Sequence, residues 1–310
     1  MPSHLLDNQG KKYILEKSIG KGITCECFLG REFEYSKRYA IKIFSEKYHE
    51  YYNREVSFLS KLKDAPNIIK LFHYGKGMIE YNNQESQIVY YQIVNYAENG
   101  ELANYINESS RIPEKIVAKL FLKIVKTIKY LHDNNIAHCD IKPENILLDE
   151  NFNPLLNDFG FSQVFGPDYL LYEFNGTYEY CSNETRLAVT KGFDGPKNDI
   201  FSLGVLLFVL AVGKFPFKNK SFSDDTYKCI IKKRYDKFWE HFSNFGVSEE
   251  LKDLINKLIT ANPSQRITID KIFEHSWFKK YFLEKDIIED YCNQNNHDKE
   301  IFDEFHPRKQ

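Results

Sequence analysis

Apolar residues dominate two short runs, Tyr13 to Ile19 and Cys25 to Leu29, with Gly20-Lys21-Gly22 between them. Short strand-like runs on either side of a turn signal predict a hairpin with a glycine-rich tip. Tyr39-Ala40-Ile41-Lys42-Ile43-Phe44 reads as a third strand. Pro66 to Tyr91 reads as two more, around a polar turn at Asn82-Asn83. Before them the period changes: Val56, Leu59 and Leu62 are spaced for one face of a helix from about Tyr48 to Lys63. After Leu102 helical spacing takes over. Leu120, Ile124, Ile128 and Leu131 form the stripe of a core helix, and amphipathic helices run from about Asp224 to Ile272. Leu203 to Val212 is apolar on all sides, as a fully buried helix is, and reads as too short and interrupted to span a bilayer. The order predicts an α+β chain: a small β-rich N-terminal part with one main helix, then a larger, mainly helical part. Residues 1–12 read as a polar lead-in. Residues 279–310 read as a mixed-charge tail, loosely packed or forming a docking or autoinhibitory helix.

The 310 residues suffice for one bilobal domain or two small ones, and 42% hydrophobic content permits an ordinary core. A net charge of −2 gives no bulk drive toward nucleic acid or anionic membrane. The N-terminus lacks the basic and long apolar regions of a signal peptide, and position 2 is Pro, so no myristoylation signal is present. Six scattered Cys fit no zinc spacing and read as reduced thiols of a cytoplasmic protein. No calcium-loop pattern appears.

The candidate chemistry lies in His138-Cys139-Asp140-Ile141-Lys142-Pro143-Glu144-Asn145, a polar octet between the helix-like stretch Ile116 to Leu131 and the strand-like Ile146-Leu147-Leu148. It places a base, a cation and a metal-binding amide together in Asp140, Lys142 and Asn145. Phosphoryl transfer needs such groups to orient the attacking hydroxyl, neutralise the moving phosphate and hold magnesium. Asn157-Asp158-Phe159-Gly160 supplies a second candidate magnesium ligand in Asp158. Lys42 sits between apolar neighbours, where a buried ammonium needs a partner. Glu55, just before the apolar helix stripe, is the expected one, with Glu50 as the alternative; a strand-edge Lys facing solvent is the plainer reading.

The octet resembles the catalytic loop of eukaryotic protein kinases, and Asp158-Phe159-Gly160 resembles their metal-binding triplet. The Lys two residues after the Asp, followed by Pro-Glu-Asn, is the serine/threonine form, and the resemblance runs from about Tyr13 to Phe278. It implies the bilobal protein-kinase fold: an N-lobe over about 13–94, a hinge over about 95–101 and a C-lobe over about 102–278. It also implies an ATP- and Mg2+-dependent serine/threonine protein kinase, nearest to the calcium/calmodulin- and AMP-regulated group. On that resemblance Lys42 holds the α- and β-phosphates, Glu55 positions Lys42, and Asn145 and Asp158 bind Mg2+. Asp140 orients the substrate hydroxyl, Lys142 neutralises the γ-phosphate, and the Thr177 hydroxyl bridges Asp140 and Lys142. Gly20, Lys21 and Gly22 form the phosphate-covering loop. Cys27, Ala40 and Leu147 flank the adenine. Val94 stands behind it, the backbone of Asn95 and Ala97 bonds its edge, and Glu101 meets the ribose or a substrate Arg. Asp199 ties down the catalytic-loop backbone, and Glu184 pairs with Arg266.

Several positions depart from the family pattern. Cys25 replaces the third loop Gly, Cys27 replaces Val, and Ser182-Asn183 replaces Ala-Pro before Glu184. Cys139 stands where most members carry the Arg that receives an activating phosphate. Gln163 replaces a further cation, and Glu173 stands at the usual phosphosite, as a fixed negative charge or a solvated carboxylate. The basic pocket is thus dismantled, and activity is expected without activation-loop phosphorylation. Glu101 and Glu144 suggest a modest preference for basic residues upstream of the acceptor; Val209 removes a further acidic contact. The expected partners are protein substrates, with regulators engaging the tail and the chain acting as a monomer. A nucleotide-binding pseudokinase serving as an interaction module is the competing reading, although no catalytic charge is missing.

Overall fold

The computed structural model describes residues 2–81, 84–106, 112–166, 169–218 and 224–282. The expected turn at Asn82-Asn83 and the tail beyond residue 282 lie outside the described residues. The chain divides into two compact units: Met1–Glu98 with Asn157–Gly160, and Asn99–Leu156 with the chain from Phe161 onward. The division falls inside the stretch 95–101 expected as a hinge, and the Asp158-Phe159-Gly160 triplet belongs with the first unit.

The first unit has strands β1 (Pro2–Leu6), β2 (Lys12–Lys21), β3 (Cys25–Glu32), β4 (Arg38–Phe44), β5 (Leu71–Tyr81) and β6 (Gln84–Asn95), with helix α1 (His49–Lys61) following β4. The strands close a barrel in the order β1-β2-β3-β4-β6-β5. One face of each strand supplies its core: Leu5, Tyr13, Leu15, Phe28, Ile41, Ile79 and Ile93 belong to a single buried cluster. Register fixes the opposite face, since residues paired across strands point the same way. Cys27 pairs with Lys42 and Lys42 with Gln92; Leu29 pairs with Ala40 and Ala40 with Val94. Cys27, Ala40, Lys42 and Val94 therefore share one face. Helix α1 buries Tyr52, Glu55, Phe58 and Leu59, a stripe at helical spacing that includes one carboxylate.

The polar lead-in expected over residues 1–12 is corrected: Pro2–Leu6 is a strand. Leu5 pairs with Tyr13 on one side and Ile79 on the other and is fully buried. Its opening Pro2-Ser3-His4 carries no apolar run, and it is pairing on both sides that holds this segment extended. The Asp7 carboxylate accepts from the amides of Gln9 and Lys11, both at 2.8 Å, and turns the chain into β2.

The second unit contains α2 (Glu114–Asp133), β7 (Ile136–Ala137), β8 (Ile146–Leu148), β9 (Pro154–Leu156), β10 (Gln163–Val164), α3 (Ala188–Lys191) and α4 (Gly195–Val212). Helices α5 (Asp225–Ile231), α6 (Tyr235–Glu240), α7 (Glu249–Leu258), α8 (Ile269–Phe273) and α9 (Ser276–Lys279) follow. Leu120, Ile124, Ile128 and Leu131 are buried on α2, as their spacing predicts. Helix α4 has 18 residues and is long and apolar enough, by length and composition alone, to cross a membrane. The expected argument from shortness therefore fails. Burial of every residue from Ile200 to Leu210 inside the unit is what identifies α4 as a core helix. Among the described residues Cys25, Cys27, Cys139, Cys181 and Cys229 are free thiols.

Glu114 at the start of α2 fastens three elements. Its carboxylate accepts from Ser248 Oγ at 2.5 Å, Trp277 Nε1 at 2.8 Å and the Tyr281 hydroxyl at 2.9 Å. Desolvation alone would raise its pKa, but these donors outweigh it and hold the carboxyl below the ordinary range. A depressed folded pKa contributes stability above the unfolded value, and that stability is lost as pH falls through the folded value. Glu114→Gln is expected to cost about 1–2 kcal/mol at neutral pH and to make acid unfolding less steep. Urea titrations at pH 7 and pH 4 check both effects.

Candidate active site

The first unit carries one set of candidate groups. Lys42 Nζ donates to Glu55 Oε1 at 2.6 Å and to Asn157 Oδ1 at 3.2 Å. Glu55 is fully buried and Lys42 is 8% exposed, so Glu55, not Glu50, is the partner, and the solvent-facing Lys is excluded. Burial pushes both groups toward neutrality; for Lys42 the carboxylates of Glu55 and Asp158 reverse this and hold it charged. Asp158 has a φ of +64°, uncommon for a residue with a side chain and concentrated at functional positions. Its Oδ1 accepts from the Tyr51 hydroxyl and, at 3.3 Å, from the Gly160 amide.

Gly20 and Gly22 lie at the hairpin tip between β2 and β3. Neither has a positive φ, and a Cβ on either would meet only ordinary contacts, Cys27 Cβ at 4.0 Å and Cys25 O at 3.7 Å. The turn itself therefore does not demand glycine. Lys21 is exposed and pairs with Glu26 at 3.7 Å. The Cys27 thiol, on the Lys42 face, is pushed up to about 12 by burial, so it is a small neutral group there. Val94 and Ala97 are buried. The Asn95 amide donates to Lys70 O at 3.1 Å, so of its two backbone groups only the carbonyl can serve a ligand.

The second unit holds the catalytic-loop groups. The Asp140 carboxylate, 3% exposed, is gripped by three donors. The Thr177 amide reaches Oδ1 at 2.7 Å, while Asn145 Nδ2 and Lys142 Nζ reach Oδ2 at 2.8 and 3.0 Å. Lys142 also donates to the Thr177 hydroxyl at 2.6 Å, so Thr177 bridges the pair through its amide as well as its side chain. Desolvation would raise the Asp140 pKa, but the Lys142 charge and the Thr177 bonds outweigh it and keep the carboxyl ionised below its usual range. Asp199 clamps the loop backbone, accepting from the amides of His138 at 2.8 Å and Cys139 at 2.9 Å. Glu101 is exposed and bridges to Leu147; desolvation first, then the Glu144 charge, raises its carboxyl pKa against the pull of Lys142. Glu184 bonds Arg266 at 2.8 and 3.4 Å, and Arg266 also donates to Lys197 O at 2.6 Å. Where Ala-Pro is lost, the Ser182 amide and hydroxyl both donate to Asn198 Oδ1, at 2.9 and 3.1 Å.

Cys139 lies in a buried apolar cluster with Ala137, Leu171, Ala188 and Phe193, flanked by Phe165 and Phe174. Leu171 and Phe193 exchange backbone bonds at 2.9 and 2.8 Å. Gln163 Nε2 donates to Glu173 O at 2.8 Å. Apolar side chains thus surround Cys139.

Each unit, taken by itself, offers an oxygen suited to Mg2+. Asn145 commits its amide nitrogen to Asp140, bonding both the carboxylate and the main-chain oxygen at 2.8 Å, which leaves its carbonyl oxygen to offer a cation. Asp158 offers Oδ2. Among the described residues no group of three or more His, Cys, Asp or Glu could enclose a metal. Magnesium needs no such cage, since it is held by one or two protein oxygens together with substrate phosphates. Two groups escaped the sequence reading. Asn157 takes a bond from Lys42, and its place before Asp158 was the available signal. Tyr51 reaches Asp158 across 107 positions, and only its place one turn before Glu55 hinted at it.

These features agree with the comparison of the chain with known sequences. The chain belongs to the protein kinase family: the protein kinase domain matches residues 13–278. It is 32% identical over 280 residues to CBL-interacting serine/threonine-protein kinase 12 of Arabidopsis thaliana, covering 87% of this chain and 53% of the relative. To probable serine/threonine-protein kinase MARK-B of Dictyostelium discoideum it is 33% identical over 278 residues, covering 88% of this chain and 37% of the relative. The chain therefore spans about half the length of these relatives, or less.

Proposed function

We propose that the chain transfers the γ-phosphoryl group of ATP to a serine or threonine hydroxyl of a protein substrate. The observation that carries this reading is the buried Asp140 carboxylate held by Lys142, Asn145 and Thr177. The names of its relatives, serine/threonine-protein kinases, support the acceptor class. Lys42, fixed by Glu55, binds the α- and β-phosphates. Asn145 and Asp158 hold Mg2+, which when bound offsets the negative charge of the phosphates. Asp140 accepts a hydrogen bond from the substrate hydroxyl and aims its oxygen at the γ-phosphorus. Because Asp140 is a weak base, the proton moves to it only as the new O–P bond forms and the bond to the departing ADP oxygen breaks. Lys142 neutralises the γ-phosphate in passage. Glu101 and Glu144 give a modest preference for basic residues upstream of the acceptor, which a peptide array checks. The protein acts as a cytoplasmic monomer, and residues 279–310 engage regulators.

The same reading has the enzyme active without activation-loop phosphorylation. Its support is the apolar cluster around Cys139, which holds Leu171 by packing. Bacterially expressed, phosphatase-treated protein is expected to incorporate labelled γ-phosphate from Mg-ATP into a basic substrate protein. A requirement for phosphate at Tyr169 or Tyr172, seen by mass spectrometry and lost with activity on phosphatase treatment, overturns it.

A further inference from the structure

Helix α1 touches the first unit's chemistry twice. Glu55 bonds Lys42, and one turn earlier Tyr51 donates its hydroxyl to Asp158 Oδ1. Residues four apart lie on one helix face, so a single placement of α1 satisfies both contacts. The Tyr51 ring lies so close over Gly160 that any Cβ there would overlap it. Phe44 backs the ring, with centroids 6.4 Å apart. The phenol is thus held over the triplet by packing on two sides. The Gly160 amide reaches the same Oδ1 at 3.3 Å. Both donors converge on one carboxylate oxygen, which sets the plane of a side chain whose own backbone sits at a φ of +64°.

We propose that Tyr51 is a positioning residue for the divalent cation, fixing Asp158 Oδ1 so that Oδ2 faces the metal. The proposal rests on reading Asp158 as a metal ligand. Groups that orient a ligand from outside the coordination shell change metal affinity about 10- to 100-fold when removed. Tyr51→Phe keeps the ring over Gly160 and deletes only the hydroxyl. The measurement is the affinity of the full chain for a non-hydrolysable ATP analogue across a series of free Mg2+ concentrations, for wild type and variant. Wild-type affinity is expected to rise with Mg2+. The variant is expected to match wild type in EDTA and to need about tenfold more Mg2+ for half the rise.

A purely structural role for Tyr51 would weaken the analogue by the same factor with and without Mg2+, and that result overturns the proposal. Coincident curves overturn it too. A variant needing less Mg2+ overturns it by showing that the hydroxyl competes with the cation. Wild-type affinity indifferent to Mg2+ removes the metal role of Asp158 itself, and the proposal with it. Melting of the nucleotide-free proteins tells whether the ring packing survives. Should Tyr51→Phe melt early, Tyr51→Met, which is smaller than the phenol and carries no O–H, is taken through the same titration with the same expected and overturning results.

Discussion

Asp158→Asn is expected to lower phosphoryl transfer by about a thousandfold or more while leaving the fold intact. The amide has nearly the shape of the carboxylate and still offers an oxygen to Tyr51 and the Gly160 amide. Asn also tolerates the left-handed backbone better than other residues with side chains, so the φ of +64° adds little strain. What disappears is the charge. A hard cation loses an anionic ligand, and Lys42 loses one of the carboxylates that keep it protonated. Incorporation of labelled γ-phosphate, compared with melting temperature, checks both halves. Activity within about tenfold of wild type would remove Asp158 from the metal site. A wild type that binds Mg-ATP yet transfers nothing would favour the nucleotide-binding interaction module.

Cys139→Arg is expected to cost about 3–5 kcal/mol of stability. Cys139 is 2% exposed and surrounded by Ala137, Leu171, Ala188 and Phe193, so a guanidinium there must displace apolar packing and enter a poorly solvated space. The Cys139 carbonyl adds a steric limit, because Gly176 passes so close to it that a Cβ there would collide. Cys139→Ala should cost only about 1 kcal/mol, since it removes one small group from the same cluster. Urea unfolding of the three proteins gives the ranking. If Cys139→Arg is as stable as wild type, the cluster can open to solvent, and packing is not what holds Leu171.

The charged skeleton was legible because its spacing is local or its partner is forced. Glu55 could be matched to Lys42 from a helical stripe and the rule that a buried ammonium needs a carboxylate. Asp140, Lys142 and Asn145 declared themselves within one loop. The apolar run in α4 showed its burial directly, although length alone gave the wrong argument against a membrane span. Strand β1 was hidden because Pro2-Ser3-His4 carries no apolar run, and Pro2 argues locally against a strand; its pairing with β2 and β5 is purely tertiary. Tyr51 was hidden because its target is far away in sequence. The packing around Cys139 was hidden because Leu171 and Phe193 arrive from separate parts of the chain.

Because β1 closes the barrel between β2 and β5, the sheet of the first unit presents no unpaired edge among the described residues. An extended peptide therefore has no row of free amides and carbonyls to extend by strand addition. Recognition of an extended peptide on this unit must therefore read side chains instead of pairing with backbone. Detaching Pro2–Leu6 would create two raw edges at once, converting a unit that resists intermolecular β-pairing into one that templates it.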